Sequence, residues 1–96
     1  MIHGGMVMNQ RFYISSEYGL HARPATKLVN LAMTFEGDVY LTWEDKKVNL
    51  KSIMGLMSLG IYHGQEIEIS TQGKDEIEAM KKIIDFIVSE HVGKTL

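Results

Sequence analysis

The spacing of hydrophobic residues in the first third of the chain predicts one strand followed by one helix. Phe12 and Ile14 alternate with more polar neighbours, which places them on the buried face of a strand. Farther along, apolar residues recur at the i, i+3, i+4 and i+7 positions of a helix: Ala25, Leu28, Val29 and Ala32. Pro24, the only proline, is tolerated in a first helical turn. We therefore predict a helix from about residue 22 to residue 34 or 35, with Gly37 as its C-terminal cap.

From Asp38 onward the period changes to alternation, which is typical of strands. One strand is expected before the charged turn 44–47 and another after it, so that together they form a hairpin; the alternating apolar residues are Val39, Leu41 and Trp43, then Val48 and Leu50. Residues 66–70 alternate again and predict a fourth strand. Asp75 is then placed to cap a last helix, which ends near Gly93. Its expected buried stripe comprises Ile77, Met80, Ile84 and Ile87, widened by Ile83 and Phe86.

Between the hairpin and the fourth strand, the sequence predicts a short and unusually apolar helix. Ser52 is a suitable N-cap for this helix, and Gly60 a suitable end. Five apolar residues fall within about two turns and cannot all point inward; they are Ile53, Met54, Leu56, Met57 and Leu59. Leu56 and Leu59 are assigned to the core. Ile53 and Met54 are interpreted as interaction surface in preference to core, because methionine is common on surfaces that adapt to several partners.

The predicted order of elements is strand, helix, strand, strand, helix, strand, helix. Helices mixed with hairpin pairing favour an α+β fold, in which one sheet is covered by helices on a single face. Residues 1–7 show no clear period and are assigned to a flexible N-terminal leader, which leaves residues 8–96 as one domain.

Composition excludes several functions. The 96 residues include no cysteine, which rules out disulfides, thiolate catalysis and cysteine-based zinc sites. The four histidines are too scattered to suggest a metal site. A net charge of −2 and the lack of an aromatic stacking motif argue against a small nucleic-acid-binding module of similar element order. With neither a membrane-spanning apolar run nor a signal-peptide pattern, a cytoplasmic location is the expectation.

The segment 19–26, GLHARPAT, contains the candidate chemistry. His21 is expected at or just before a helix N-terminus, where free backbone N–H groups and the helix dipole attract anions. Arg23 adds a guanidinium that can donate two hydrogen bonds to phosphate oxygens. A neutral imidazole is a nucleophile near neutral pH. The segment therefore predicts a histidine that accepts and donates a phosphoryl group, although an exposed histidine near a helix start would by itself explain His21 as well.

Two segments together resemble a known family. GLHARPAT and VNLKSIMGLMSLGI, at residues 19–26 and 48–61, are similar to HPr, the histidine-containing phosphocarrier of the bacterial phosphoenolpyruvate-dependent sugar phosphotransferase system. The likeness extends over about residues 8–91. It implies an HPr-like open-faced β-sandwich of order βαββαβα, with a four-stranded antiparallel sheet and three helices on one face.

The resemblance also implies roles for individual residues. His21 matches the histidine that takes a phosphoryl group from Enzyme I on Nδ1, as a pros-phosphohistidine, and passes it to sugar-specific IIA components. Arg23 matches the arginine that stabilises the phosphate. Ser52 matches the serine that HPr kinase/phosphorylase modifies in Gram-positive bacteria, where the phosphoserine form acts as corepressor with a catabolite-control transcription factor. No cofactor, independent catalysis, direct nucleic-acid contact or membrane insertion is implied.

Partner docking is expected on the apolar residues Leu20, Ile53, Met54 and Met57. The alternative function is that of a regulatory paralogue, which acts through Ser52 alone and lacks the active-site histidine; the presence of His21 argues against it. Lys27 is a charged residue where many relatives are apolar, and Met33 stands where small or basic residues are common. Both leave the choice of partner open.

Overall fold

The computed structural model describes residues 7–96, which form one five-stranded antiparallel sheet and three helices. The strands are β1 (Val7–Ile14), β2 (Asp38–Trp43), β3 (Lys46–Asn49), β4 (Glu66–Gln72) and β5 (Gly93–Thr95). The helices are α1 (Ala22–Ala32), α2 (Ile53–Met57) and α3 (Glu76–Ser89). The strands lie in the order β3-β2-β4-β1-β5. The predicted α+β class is confirmed, with the helices packed on one face of the sheet.

The fifth strand is the main difference from the predicted four-stranded sheet. β5 has three residues, pairs antiparallel with the end of β1 and brings Gly93 opposite Ile14. So short a segment has no room for an alternating pattern, and the sequence therefore assigned Gly93 to the end of the last helix. That helix in fact ends at Ser89, and His91 adopts a left-handed backbone conformation before the chain turns into β5.

The first element begins earlier than the sequence indicated. Val7, the last residue of the predicted leader 1–7, is the first residue of β1 and pairs with Gln72 of β4. Val7 therefore belongs to the sheet. The remaining six residues of that predicted leader lie outside the described residues.

The core lies between the sheet and the helices. Phe12 and Ile14 are buried as predicted, and the strands β2 and β4 add Val39, Leu41, Ile67 and Ile69. The buried face of α3 consists of Ala79, Met80, Ile83 and Ile87. Ile77, predicted to belong to that stripe, is 59% exposed. It precedes Ile83 by six residues, which at 3.6 residues per turn places it roughly 120° around the helix from Ile83.

Gly37 lies in the connection between α1 and β2 and has a different role from the predicted helix cap. Helix α1 already ends at Ala32. A Cβ atom on Gly37 would lie only 2.4 Å from the backbone oxygen of Gln72, so glycine is needed because the two chain segments approach so closely. The prediction that Gly37 caps the first helix was therefore wrong.

Asp75 precedes α3 as predicted, but its side chain makes no hydrogen bond that caps this helix. Its carboxylate oxygens accept hydrogen bonds from the backbone N–H groups of Glu36 and Gly37, at 2.9 and 3.0 Å. These bonds hold the connection after α1 against the start of α3. The Glu36 N–H group is the main cause that lowers the pKa of Asp75 from its usual value of 3.8; partial desolvation opposes it, and the Gly37 N–H group adds to it.

The lowered pKa of Asp75 predicts a specific pH dependence of stability. Because the folded pKa lies below the unfolded one, the stabilisation by Asp75 is present above about pH 4 and is lost as the pH falls through the folded pKa. Asp75→Asn should lower the urea midpoint at about pH 7, since an amide NH₂ group replaces one acceptor oxygen facing two donors. It should also flatten the decline in urea midpoint below about pH 4. Glu78→Gln, on the exposed surface of α3, is the control, and parallel pH profiles for wild type and Asp75→Asn would contradict the role of Asp75.

Candidate functional site

His21 is the residue immediately before α1. Its backbone is extended, with φ −81° and ψ 179°, and its carbonyl accepts the first helical hydrogen bond from the N–H group of Ala25 at 3.0 Å. Its side chain is exposed and makes no hydrogen bond that caps the helix. The N–H groups of Ala22 and Arg23 therefore lie in the first helical turn, where such groups have no partner within the helix. Pro24 is the third residue of α1, which confirms its predicted place in the first turn.

The loop that presents His21 is held on two sides by backbone hydrogen bonds. Gly19 adopts a left-handed conformation, with φ 67°, and its N–H group donates to the carbonyl of Ser16 at 3.0 Å. The next residue, Leu20, donates to the carbonyl of Ile61 at 3.2 Å. On the other side, the N–H group of Ser16 donates to the carbonyl of Val92 at 3.1 Å. The segment after α2 and the segment before β5 thus fix the position of His21.

A surface depression of about 150 Å³ adjoins His21. It is lined by Ser16, His21, Arg23, Pro24, Lys27, Glu90 and Val92. Arg23 is exposed, and within residues 7–96 no carboxylate forms an ion pair with it. The Lys27 ammonium lies 3.2 Å from a carboxylate oxygen of Glu90. The depression therefore presents two cationic side chains and one anionic side chain beside an exposed imidazole.

Tyr18 also contacts His21. The two rings meet edge to face, with centroids 5.9 Å apart and planes at 80°. Tyr18 is itself 74% exposed, so this contact restricts the orientation of the imidazole without burying it.

The docking residues predicted around these sites fall into two groups. Leu20 is only 6% exposed and belongs to the hydrophobic core, so its predicted place on the surface was wrong. Leu20 lies between the buried Gly19 and the exposed His21. Its N–H group donates a hydrogen bond to the carbonyl of Ile61, and its side chain faces the core. Met54 is 82% exposed, and Ile53 and Met57 are about 40% exposed. Leu56 and Leu59 are buried, as the sequence predicted.

Ser52 is the N-cap residue of α2, and this prediction is confirmed. Its hydroxyl oxygen accepts a hydrogen bond from the N–H group of Gly55 at 3.2 Å, and the residue is exposed. The neighbouring Lys51 directs its ammonium away, donating to the carbonyl of Phe35 at 2.8 Å. Helix α2 ends at Met57, three residues before the predicted end at Gly60. His21 and Ser52 therefore begin two different helices, and Ser52 is not part of the depression beside His21.

Sequence reasoning did not identify Lys27 and Glu90 as members of the site. Lys27 follows Arg23 by four residues, so both face the same side of a helix, and this spacing could have indicated it. Glu90 is 63 residues away from Lys27, at the end of α3, and no local pattern predicts their meeting.

Two other kinds of feature were predicted to be absent or to have no functional role: metal sites and membrane-spanning helices. His63 lies on a turn, with its Nδ1 atom 3.1 Å from the carbonyl oxygen of Ser16. Among residues 7–96, no three histidine or carboxylate side chains converge as a metal site requires. In the same part of the chain, no helix has the length and apolar character needed to cross a bilayer.

Comparison with known proteins gives concordant results. Residues 8–89 match the family described as "PTS HPr component phosphorylation site". A histidine-containing phosphocarrier protein from Mycoplasma superimposes with a TM-score of 0.87 at 32% identity, over 90% of this chain and 98% of its own. HPr from Thermoanaerobacter tengcongensis gives a TM-score of 0.83 at 42% identity, over 88% and 94% of the two chains. Crh, a catabolite repression protein from Bacillus subtilis, gives 0.68 at 40% identity, over 94% and 97%.

The family match covers most of the chain, and it includes both His21 and Ser52. The resemblance of the two sequence motifs is thereby confirmed, together with a role in phosphoryl transfer that does not make the protein an independent catalyst. This chain belongs to the HPr family of phosphocarrier proteins of the phosphotransferase system.

Proposed function

We propose that this protein accepts a phosphoryl group from Enzyme I on Nδ1 of His21 and passes it to sugar-specific IIA components in the cytoplasm. The observation that supports this proposal is an exposed imidazole at the start of α1, beside the cationic side chains of Arg23 and Lys27. Nδ1 is the ring nitrogen nearer the backbone, so a phosphoryl group on it is close to the N–H groups of the first helical turn.

The transfer requires no deep pocket. A neutral His21 ring with its proton on Nε2 offers the Nδ1 lone pair to phosphorus. The new N–P bond forms as the bond between phosphorus and the donor atom breaks, and the electron pair of that bond leaves with the donor. Positioning and charge stabilisation account for most catalysis of phosphoryl transfer, and Arg23 with the helix N-terminus supplies both to the phosphoryl oxygens.

The experiment that tests this function is incubation of the full chain with phosphoenolpyruvate and a bacterial Enzyme I. Intact-mass spectrometry should show one added phosphoryl group, which is lost in acid, as a phosphohistidine requires. NMR coupling between phosphorus and the ring nitrogens should assign it to Nδ1 of His21. Absence of modification with an Enzyme I that phosphorylates another HPr would contradict the phosphocarrier function.

Ser52 supports a second, regulatory role. We propose that HPr kinase/phosphorylase phosphorylates its exposed hydroxyl and that the product acts as corepressor with a catabolite-control transcription factor. The 40% identity to the catabolite repression protein Crh favours such a role. A protein with the regulatory role alone would not require His21, so the presence of this exposed histidine favours a phosphocarrier that is also regulated. Incubation with ATP and this kinase should add one acid-stable phosphoryl group at Ser52, and an unmodified Ser52 would contradict this role.

The variant Ser52→Asp is expected to slow phosphorylation of His21 by Enzyme I by roughly tenfold, which corresponds to about 1.4 kcal/mol. Aspartate remains a good N-cap, so α2 should persist. The added charge, however, lies at the N-terminus of the helix that exposes Met54 and Ile53, where it opposes apolar docking. The measurement is kcat/KM for transfer from phosphorylated Enzyme I. Ser52→Asn preserves the cap without the charge and should transfer at the wild-type rate; equal rates for wild type and Ser52→Asp would refute the effect.

A further inference from the structure

We propose that Lys27 is a second phosphate-binding cation of this site, and that Glu90 holds its ammonium until His21 is phosphorylated. The inference rests on the phosphocarrier function proposed above and assigns two residues to it that the sequence motifs do not include.

The geometry places both residues at the depression beside His21. Lys27 lies on α1, four residues after Arg23, so the two side chains lie on one side of the helix. Glu90 follows directly after α3, and its N–H group donates to the carbonyl of Phe86 at 2.9 Å. The ion pair at 3.2 Å therefore joins the two helices across the depression that His21 also lines.

The ion pair between Lys27 and Glu90 can be broken at little cost in stability. Both side chains are about half exposed, and an ion pair of this kind contributes little to stability because water screens it. A phosphoryl group brings a charge of roughly −1.5 to −2, against a single negative charge on Glu90. The lysine ammonium, at the end of a flexible four-carbon chain, can follow that larger charge. On phosphorylation of His21, the Lys27 ammonium moves from Glu90 to the phosphoryl oxygens.

The two residues then have opposite effects on the phosphorylated state. Lys27 stabilises the phosphohistidine by adding a cation to that of Arg23. Glu90 opposes it, because it competes for the Lys27 ammonium and because its carboxylate lies beside another anion. This opposition prevents the phosphoryl group from being bound so tightly that it cannot be passed on. Glu90 is thus a positioning residue, and Lys27 touches the transferred group.

The test uses the full chain with Lys27→Gln, Glu90→Gln, the double variant and Lys27→Arg. The first measurement is the phosphorylated fraction at equilibrium with Enzyme I, at a fixed ratio of phosphoenolpyruvate to pyruvate. The second is a titration with inorganic phosphate followed by the NMR shifts of the Ala22 and Arg23 amides, which requires no Enzyme I. Lys27→Gln should lower both the phosphorylation equilibrium constant and the phosphate affinity about fivefold, and Glu90→Gln should raise both about threefold.

The double variant and the conservative variant separate a charge effect from a structural one. In the Lys27→Gln background, Glu90→Gln should have a smaller effect than in wild type, because the two residues act through one pair. Lys27→Arg should restore most of the loss, because it returns the positive charge.

The matched control is Lys82→Gln, which removes the same charge from an exposed ion pair with Glu78 at 2.9 Å on α3, outside the depression. Neither measurement should change with this control. If Lys27→Gln is no different from Lys82→Gln in both measurements, the inference is overturned. If wild type accepts no phosphoryl group from Enzyme I, the proposed function itself fails, and the phosphate titration alone then decides whether Lys27 binds phosphate.

Discussion

Replacement of His21 with alanine is expected to abolish the acid-labile phosphorylation by Enzyme I completely. The nucleophilic nitrogen is removed, and no neighbouring group of the depression can form a phosphohistidine in its place. The fold should not suffer, because the exposed His21 side chain makes no capping hydrogen bond. The free energy of unfolding, measured by urea denaturation, should therefore differ from that of wild type by no more than about 0.5 kcal/mol. Intact-mass spectrometry and urea unfolding of the same preparation measure both effects.

His63→Ala is the matched control for this substitution. His63 is also exposed and lies on a turn. Its Nδ1 atom approaches the carbonyl oxygen of Ser16, at the start of the loop that presents His21. The His63 side chain should accept no phosphoryl group, so the variant His63→Ala should be phosphorylated to the wild-type level. An acid-labile phosphoryl group on His21→Ala, or its disappearance from His63→Ala, would assign the acceptor to a different residue.

The sequence predicted those parts of the fold that have a regular hydrophobic period. Helix α1 and the buried Phe12 and Ile14 follow directly from such spacing, because their apolar residues face a single core. β5 was missed because three residues cannot show a period and because its partner, β1, lies about 80 residues earlier in the chain. Gly37 was misassigned for a similar reason. Its requirement for glycine arises from Gln72, a residue distant in sequence.

The site was predictable to the extent that its residues are neighbours in the chain. His21, Arg23 and the start of α1 lie within a few residues of one another, so local sequence determines their arrangement. Leu20 was misplaced because an apolar residue beside the predicted phosphoryl acceptor can face either the core or the solvent, and the local sequence does not distinguish the two. Glu90 could not be placed at all, since it reaches the site only through the packing of α3.

Gly19→Ala should strongly destabilise the folded protein. Gly19 has a φ of 67°, and an L-residue in this left-handed conformation costs roughly 1–2 kcal/mol. In addition, a Cβ atom would lie 2.4 Å from the backbone oxygen of Ile61 and 2.9 Å from the Cα atom of Tyr62. Backbone atoms cannot move aside as a flexible side chain can. The free energy of unfolding, measured by urea denaturation, should fall by about 3 kcal/mol or more.

Gly60→Ala separates the two causes of this loss. Gly60 has nearly the same φ, 64°, but among residues 7–96 its added Cβ would approach only the hydroxyl oxygen of Tyr62, at 4.0 Å. This variant should lose only the conformational part, about 1 kcal/mol. Equal losses for the two variants would show that the contact with Ile61 does not constrain the loop.

The same contact connects the stability of the loop to phosphoryl transfer. To relieve the clash in Gly19→Ala, the loop must move away from Ile61, and the hydrogen bond from Leu20 to Ile61 is then broken. His21 directly follows Leu20, so its imidazole shifts relative to Arg23 and the helix N-terminus. A displacement of about 1 Å can slow a positioned reaction on the order of a hundredfold. Transfer from Enzyme I should therefore slow by at least about tenfold in Gly19→Ala, measured where the variant is still folded, while Gly60→Ala retains the wild-type rate.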